Sequence, residues 1–157
     1  MLPSTSVCIH MARAETKYFG PQEYAEDAVI RIPGGIPGFQ DESEFILIQF
    51  PDQFPLVYLQ STRRPDVCFA ALPVRVLDRL YELELTDDDA ELLDVPVRPT
   101  VGGDVLCLSV LVSGETGAFA NLFAPIVINM TTRVAAQCVN SAGSYSCEHA
   151  IEEVAAA

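Results

Sequence analysis

The sequence predicts an all-β protein: one mainly antiparallel, small barrel-like or sandwich domain with one short helix. Three observations support this fold class. Apolar runs of strand length recur about every eight to twelve residues, turn residues separate them, and no long helical periodicity is present. With 157 residues, half of them hydrophobic, the chain can bury one core. We predict a β domain over residues 15–145, a flexible leader at 1–14 and a flexible or short helical tail at 146–157.

The N-terminal elements are interpreted mainly from their turn residues. Residues 1–14 show no sustained periodicity, and Met11 is an alternative start of the natural chain. Residues 16–20 are a short strand candidate, and 29–32 predict a strand that runs into the irregular turn 33–39, rich in glycine and proline. This turn is not a phosphate-binding loop, because its prolines remove backbone donors and the Lys-Ser/Thr of a Walker loop is absent.

The middle of the chain predicts strands joined by hairpin-type connections. Residues 45–50, 55–61 and 67–72 are apolar runs separated by turn residues, and 105–112 predict a central strand. Phe39, which closes the preceding turn, is interpreted as a core residue. An exposed anchor for a partner is the alternative, because aromatic residues are enriched at binding hot spots.

Residues 78–94 are the most acidic part of the chain, with eight carboxylates against a single base, Arg79. Residues 81–85 alternate with the strand period, which places Glu82 and Glu84 on one face. Thr86 can cap a short helix over about residues 87–93, with three aspartates at its positive end. A solvated edge and a capped turn explain about half of this charge, and the remainder suggests an electrostatic docking face.

Residues 117–129 predict a strand, a bend and a second strand. Pro125 removes a backbone donor at the bend, and β-branched residues follow it. We interpret Asn121 and Asn129 as caps for backbone groups where strand pairing lapses, with a contact to a partner as the alternative. Gln137, in the next apolar run, satisfies backbone groups or contacts a partner, and we favour the first.

Charge and hydropathy exclude several classes of protein. The formal net charge of -13 disfavours direct binding to nucleic acid and to anionic membranes, and makes a basic protein the natural partner. The longest uncharged run, 116–132, is too short and too polar to span a bilayer. Because the N-terminus lacks a signal-peptide pattern, we expect a cytoplasmic location.

The five cysteines form no Cys-x-x-Cys pair, and three of them lie in apolar runs. Buried, reduced thiols in a reducing compartment explain those three. Cys8-x-His10 and Cys147-x-His149 could together offer four ligands to zinc, but this spacing is unusual for structural zinc, and we expect two frayed tails instead. Since both histidines lie near the termini, a nucleophile-histidine arrangement is disfavoured, and we expect neither catalysis nor a cofactor.

Several short motifs occur together in one order between about Thr16 and Tyr145. They are Thr-Lys-Tyr-Phe-Gly at 16–20, Ile-Pro-Gly-Phe at 36–39, Phe-Ile-Leu-Ile at 45–48, Leu-Gln-Ser at 59–61, Phe69 with Pro73, Tyr-Glu-Leu at 81–83, and Asn-Leu-Phe-Ala-Pro-Ile-Val-Ile-Asn at 121–129 followed by Gln137. With these motifs the chain resembles the flagellar assembly factor family FliW. The motif at 121–129 carries most of the specificity.

The resemblance implies a small β-barrel-like protein without cofactor or catalysis. Members of the family bind the RNA-binding translational regulator CsrA and prevent it from silencing flagellin messenger RNA. They also bind flagellin, so that newly made flagellin frees the regulator and lowers its own translation. A monomer when free is expected. The alternatives are a flagellin-dedicated chaperone without regulator antagonism, suggested by the unusual residues 146–149, and a hydrolase or metal protein that uses the terminal Cys/His pairs.

Candidate partner-binding residues follow from the charge pattern and the resemblance together. Complementary charge would guide an acidic surface to the basic surface of an RNA-binding protein. An apolar patch containing Phe39 and Phe123 is the candidate contact for flagellin, and Asn121 is a further candidate. The candidate acidic residues are Glu82, Glu84, Asp87, Asp88 and Asp89.

Overall fold

The structure, a computed structural model, describes residues 10–151, which contain eleven strands and two short α-helices. Two 3-10 turns, Glu26–Ala28 and Pro51–Gln53, lie in the connections. The strands are β1 Met11–Thr16, β2 Gly20–Ala25, β3 Ile30–Arg31, β4 Glu44–Ile48, β5 Val57–Ser61, β6 Cys68–Pro73, β7 Val105–Gly114, β8 Gly117–Ala120, β9 Ile126–Asn129, β10 Ala135–Gln137 and β11 His149–Ala150; the helices are α1 Val74–Leu77 and α2 Asp87–Leu93.

Nine of the strands form one antiparallel sheet, whose main order is β10-β9-β7-β6-β5-β4-β3. Its two end strands approach each other, because the Arg31 amide donates a 2.8 Å hydrogen bond to the Arg133 carbonyl and Arg31 forms an isolated bridge with Val134. This single bridge is not a ladder, so the sheet curls almost into a barrel but does not close. The predicted mainly antiparallel β fold is confirmed.

The curled sheet encloses one apolar cluster on its inner face and is covered outside by two other parts of the chain. Residues 74–101, with both helices, cover β7, β9 and β10 on one side, and the β1–β2 ribbon covers β4 and β5. The inner cluster consists of Ile30, Ile32, Ile36, Phe45, Val57, Leu59, Val67, Ala71, Leu108, Ile126, Ile128 and Ala135. Since nine of these twelve residues come from seven neighbouring strands, the core depends on correct register along the whole sheet.

The predicted strands in the middle of the chain and the strand-bend-strand at 117–129 are confirmed by β4 to β9. The helix predicted after Thr86 is confirmed as α2, but one helix was too few, because α1 follows directly on β6. Residues 81–85 alternate between buried and exposed as predicted, although they pair with no strand. Hydrogen bonds to the Asn140 and Tyr145 side chains, together with single backbone bonds, replace the ladder there.

The predicted N-terminal boundary is wrong, because β1 begins at Met11 within the expected leader and pairs with β2 from Met11 to Thr16. The strand expected over 16–20 is instead the end of β1, the connecting turn and the first residue of β2. Ala14 is buried with Ile46 and Ile48, so the ribbon is held by the outer face of the sheet. Residues 1–9 lie outside the described part of the chain, as does Cys8 of the Cys8-x-His10 pair.

The tail predicted from residue 146 is also partly wrong, because β11 adds to the outer edge of β8. The Ser146 carbonyl accepts a 2.9 Å hydrogen bond from the Leu122 amide, and the Ile151 amide donates to the Ala118 carbonyl at 3.1 Å. No side chain from 146 to 151 is fully buried, so main-chain bonds rather than apolar burial hold this segment. Residues 152–157 lie outside the described part.

Within 10–151, no helix has the length and apolar character needed to cross a membrane.

Candidate functional site

The bend between β8 and β9 leaves the sheet but is fixed by hydrogen bonds along its whole length. Strand β7 pairs with both flanking strands, through Leu111 with Ala120 and through Leu108 with Ile126. Between these two pairs β7 has two residues, whereas the opposite chain has the five residues 121–125. The three additional residues must leave the sheet, as in an enlarged β-bulge.

Every backbone carbonyl of the bend accepts a hydrogen bond. Asn121 also uses its side chain, whose Oδ1 accepts bonds from the Phe123 amide at 3.1 Å and from the Ala124 amide at 2.9 Å. The donors to the carbonyls of residues 121 to 125, in order, are Ser109 Oγ, Tyr81 Oη, the Asn140 amide, Gln137 Nε2 and the Cys138 amide. The predicted capping role of Asn121 and the predicted backbone contact of Gln137 are therefore confirmed.

The bend presents one large side chain to solvent. Phe123 is 41% exposed, whereas Leu122 and Pro125 on either side are buried. Val139, which is 47% exposed, directly precedes Asn140, whose amide binds the Phe123 carbonyl at 2.8 Å. A rigid backbone that exposes an aromatic side chain loses little conformational entropy on binding, which favours Phe123 as an apolar contact.

The backbone of the acidic segment is held by the side chains of Asn140 and Tyr145. Its Nδ2 donates to the Glu82 carbonyl at 2.7 Å, and its Oδ1 accepts from the Glu84 amide at 2.9 Å. The Glu82 amide donates to Tyr145 Oη at 3.1 Å. Because these bonds use the backbone, the carboxylates of Glu82 and Glu84 remain on the opposite, outward side, as the alternation predicted.

Helix α2 continues the acidic segment. Its N-cap is Thr86, whose hydroxyl accepts a 3.2 Å hydrogen bond from the Asp89 amide, and all three residues of its first turn are aspartates. Asp87 and Asp88 are exposed, while Asp89 is half-buried near the Cys138 thiol. We call the outward carboxylates of the segment the acidic face, which comprises Glu82, Glu84, Asp87 and Asp88, whereas the predicted contact residue Asp89 turns towards Cys138.

A groove with a volume of about 430 Å³ lies beside the acidic face. Arg98 reaches into it and forms an ion pair with Glu84, with 3.3 Å between Nη2 and Oε1. Glu82 has no ion-pair partner within residues 10–151. We call this cavity the Glu82 groove, and it is lined by Glu82, Leu83, Glu84, Arg98, Pro99 and Ala142. Arg98 was not predicted as a site residue, because it lies 14 positions after Glu84 and outside the acidic segment.

Phe39 lies apart from these residues, on the turn between β3 and β4. Its ring packs edge-on against Phe69, with 5.2 Å between ring centroids, and its side chain is 37% exposed. A Cβ atom at Gly35 would lie 2.4 Å from the Phe39 carbonyl oxygen, so the turn requires glycine there. The structure therefore brings the acidic face and the bend together but leaves Phe39 on a separate surface.

Three cysteines have environments that suppress thiol chemistry. Burial raises the pKa of Cys68 to about 11 and the pKa values of Cys107 and Cys138 to about 12, so these thiols are protonated at neutral pH. Cys147 is exposed. Within residues 10–151, no three side chains of His, Cys, Asp and Glu are grouped so that they could hold a metal ion.

Comparison with known proteins gives one consistent result. The family model described as "FliW protein" matches residues 13–151. The chain is 32% identical to "Flagellar assembly factor FliW" of Bacillus subtilis (strain 168), covering 87% of this chain and 94% of that protein. It is 34% identical to the protein of the same description in Geobacillus sp. (strain WCH70), covering 85% and 91%. A solved structure, "Crystal structure of the flagellar assembly factor FliW", is similar with a TM-score of 0.76, 32% identity and coverage of 91% of this chain and 100% of that one.

Proposed function

Because this chain belongs to the FliW family, we propose that it acts in flagellar assembly by binding two other proteins, the translational regulator CsrA and flagellin. In this proposal the chain holds CsrA away from flagellin messenger RNA. Newly made flagellin then occupies the chain and releases the regulator, so flagellin level controls flagellin translation. The activity requires competing interfaces in the cytoplasm and no catalytic step, cofactor, nucleic acid contact or membrane.

The observation that supports regulator binding is the acidic face. Its backbone is fixed through Asn140 and Thr86, so the carboxylates are presented without further ordering of the chain. A protein that binds RNA must carry a basic surface. The negative charge of the acidic face accelerates the encounter with that surface and repels the RNA phosphates that would otherwise bind there again. The net charge of -13 acts in the same direction over longer distances.

Apolar contact with flagellin is proposed at the bend. Phe123 and Val139 are both exposed there, and the bonds to the Phe123 and Ala124 amides keep the bend rigid. Tyr81 links this patch to the acidic segment through its bond to Leu122. The two proposed contacts therefore belong to one rigid part of the molecule, which supports competition between the two partners.

A gel-shift experiment tests the proposal. Purified chain is added to CsrA bound to a flagellin leader RNA, and flagellin is added in a second step. We expect the chain to release the RNA and flagellin to restore the RNA complex. Failure of the chain to release RNA, although it binds flagellin, would support instead a flagellin-dedicated chaperone, the alternative suggested by residues 146–149.

A further inference from the structure

The Glu82 groove already contains a guanidinium group supplied by the chain itself. Arg98 reaches the Glu84 carboxylate at 3.3 Å, yet the Arg98 side chain is 79% exposed and that of Glu84 is 31% exposed. Ion pairs this exposed are weak, because water and salt compete with both partners. Arg98 is therefore held in the groove only loosely.

The backbone of the groove walls is held by hydrogen bonds, whereas the Arg98 side chain is mostly exposed. Asn140 holds the backbone of Glu82 and Glu84 from behind, and the Leu85 amide donates a 2.8 Å hydrogen bond to the Val97 carbonyl next to Arg98. Glu82 and Glu84, two residues apart on an extended segment, point to the same side. Arg98 pairs with one of these carboxylates and leaves the other without an ion-pair partner within residues 10–151.

We propose that the Glu82 groove receives an arginine side chain of the partner protein, and that Arg98 occupies this position in the free chain as an internal competitor. Arginine fits better than lysine, since a planar group with five donors can bind two carboxylates at once. On binding, the incoming guanidinium contacts Glu82 and Glu84, and Arg98 turns out to solvent. The inference rests on the proposed function for the identity of the partner, the basic regulator CsrA.

An internal competitor has an unusual consequence: removing a positive charge at Arg98 tightens binding of a basic partner more than removing one elsewhere. Arg98→Ala is compared with Arg63→Ala, which changes the net charge equally on an exposed residue in the loop between β5 and β6. We expect Arg98→Ala to lower the Kd for CsrA about two- to fivefold beyond Arg63→Ala, the range expected from releasing one exposed ion pair. Glu84→Gln should raise the Kd for CsrA. In the Glu84→Gln background, Arg98→Ala should lower that Kd no more than Arg63→Ala does.

An equal effect of the two arginine variants, or weaker binding by Arg98→Ala, would overturn the inference while leaving the proposed function intact. Absence of CsrA binding by the unmodified chain would instead overturn the proposed function.

A second experiment does not depend on CsrA. The ¹⁵N-labelled Arg98→Ala chain is titrated with acetyl-Gly-Arg-Gly-amide and with the neutral peptide that contains citrulline instead of arginine.

We expect the arginine peptide, but not the citrulline peptide, to shift the amide signals of residues 82–84, and Glu84→Gln to reduce these shifts. The unmodified chain should show smaller shifts than Arg98→Ala at the same peptide concentration. Shifts of equal size with both peptides, or shifts confined to other residues, would show that the groove does not select a guanidinium group.

Discussion

The hydroxyl of Tyr81 donates a 2.6 Å hydrogen bond to the carbonyl oxygen of Leu122, forty-one residues away in the sequence. The Tyr81 side chain is completely buried and packs against Tyr145, with 4.4 Å between ring centroids. Burial also raises the pKa of Tyr81, so its hydroxyl remains a donor at neutral pH. This single bond joins the acidic segment to the bend that carries the family motif.

Tyr81→Phe should therefore destabilise the protein without creating a cavity in the core. The phenyl ring keeps its packing, but the buried Leu122 carbonyl loses its donor, which costs about 1–3 kcal/mol of unfolding free energy. Urea denaturation followed by tyrosine fluorescence measures this loss. Tyr18→Phe, at a side chain that is 60% exposed, is the control and should change stability by less than about 0.5 kcal/mol. Equal losses in the two variants would contradict the importance of the bond.

Asn121→Ala should lower stability by about 1 kcal/mol, because two backbone amides of the bend lose the side-chain oxygen that they share. Asn121→Asp keeps an acceptor oxygen at the same position and should retain most of the stability. Urea midpoints of the three proteins separate these outcomes. If both variants keep full stability but lose flagellin binding, Asn121 is a contact residue rather than a cap.

Truncation after Tyr145 should remove β11 and leave the rest of the sheet folded, since no side chain from 146 to 151 is fully buried. The Leu122 amide then loses the Ser146 carbonyl, its only partner within residues 10–151, whereas the Phe123 amide keeps Asn121 Oδ1. Hydrogen exchange should accelerate more at Leu122 than at Phe123. Global unfolding of the truncated protein would show instead that the tail is a necessary part of the core.

The buried thiols predict loss of stability at alkaline pH. The pKa values of Cys107 and Cys138 rise from 9.0 to about 12 on folding, so the folded state binds their protons more tightly than the unfolded state. Their contribution is complete below pH 9 and is lost as pH rises from 9 towards about 12. The urea midpoint should therefore decrease between pH 9 and about 11. The double variant Cys107→Ala/Cys138→Ala should be less stable at pH 7, but its urea midpoint should decrease less steeply with pH. If the midpoint falls as steeply as in the unmodified chain, other groups such as Tyr81 cause the decrease.

Neutralising part of the acidic face should weaken binding of CsrA in a salt-dependent way. The variant Glu82→Gln/Asp87→Asn/Asp88→Asn is compared with Glu23→Gln/Asp27→Asn/Glu115→Gln, which removes the same charge from exposed sites elsewhere. At about 0.01 M salt we expect a Kd about five- to tenfold higher for the first variant than for the control. The difference should shrink at about 0.15 M, because the Debye length falls from about 30 Å to about 8 Å. Equal Kd values for the two variants would show that the acidic face is not part of the interface with CsrA.

Local chemistry explains why much of the fold could be predicted. The strands β4 to β9 have apolar runs bounded by turn residues, the helix α2 has its cap in Thr86, and the bend has Asn121 and Pro125. Each of these signals lies within a few residues of the structure that it specifies. The acidic face was predictable for the same reason, because its charges are adjacent in the sequence.

The errors fall where pairing does not depend on side-chain identity. Strand β1 consists mainly of small and charged residues without an apolar run, yet it pairs fully with β2, and the ribbon packs Ala14 on Ile46. Strand β11 adds to β8 through main-chain bonds alone. Main-chain donors and acceptors are the same at every position, so a sequence pattern cannot show which edge a short polar segment will join.

Residue patterns alone specify the β content, the rigid bend, the acidic segment and membership of the family. The contacts around these features depend on the tertiary structure. They are the hydrogen bond of Arg31 that nearly closes the sheet, the bonds of Asn140 to the backbone of Glu82 and Glu84, and the ion pair of Arg98 with Glu84. These contacts join residues that are between 14 and 102 positions apart in the sequence. Their geometry depends on how the whole sheet curls to bury its inner cluster, and no local pattern encodes that curvature.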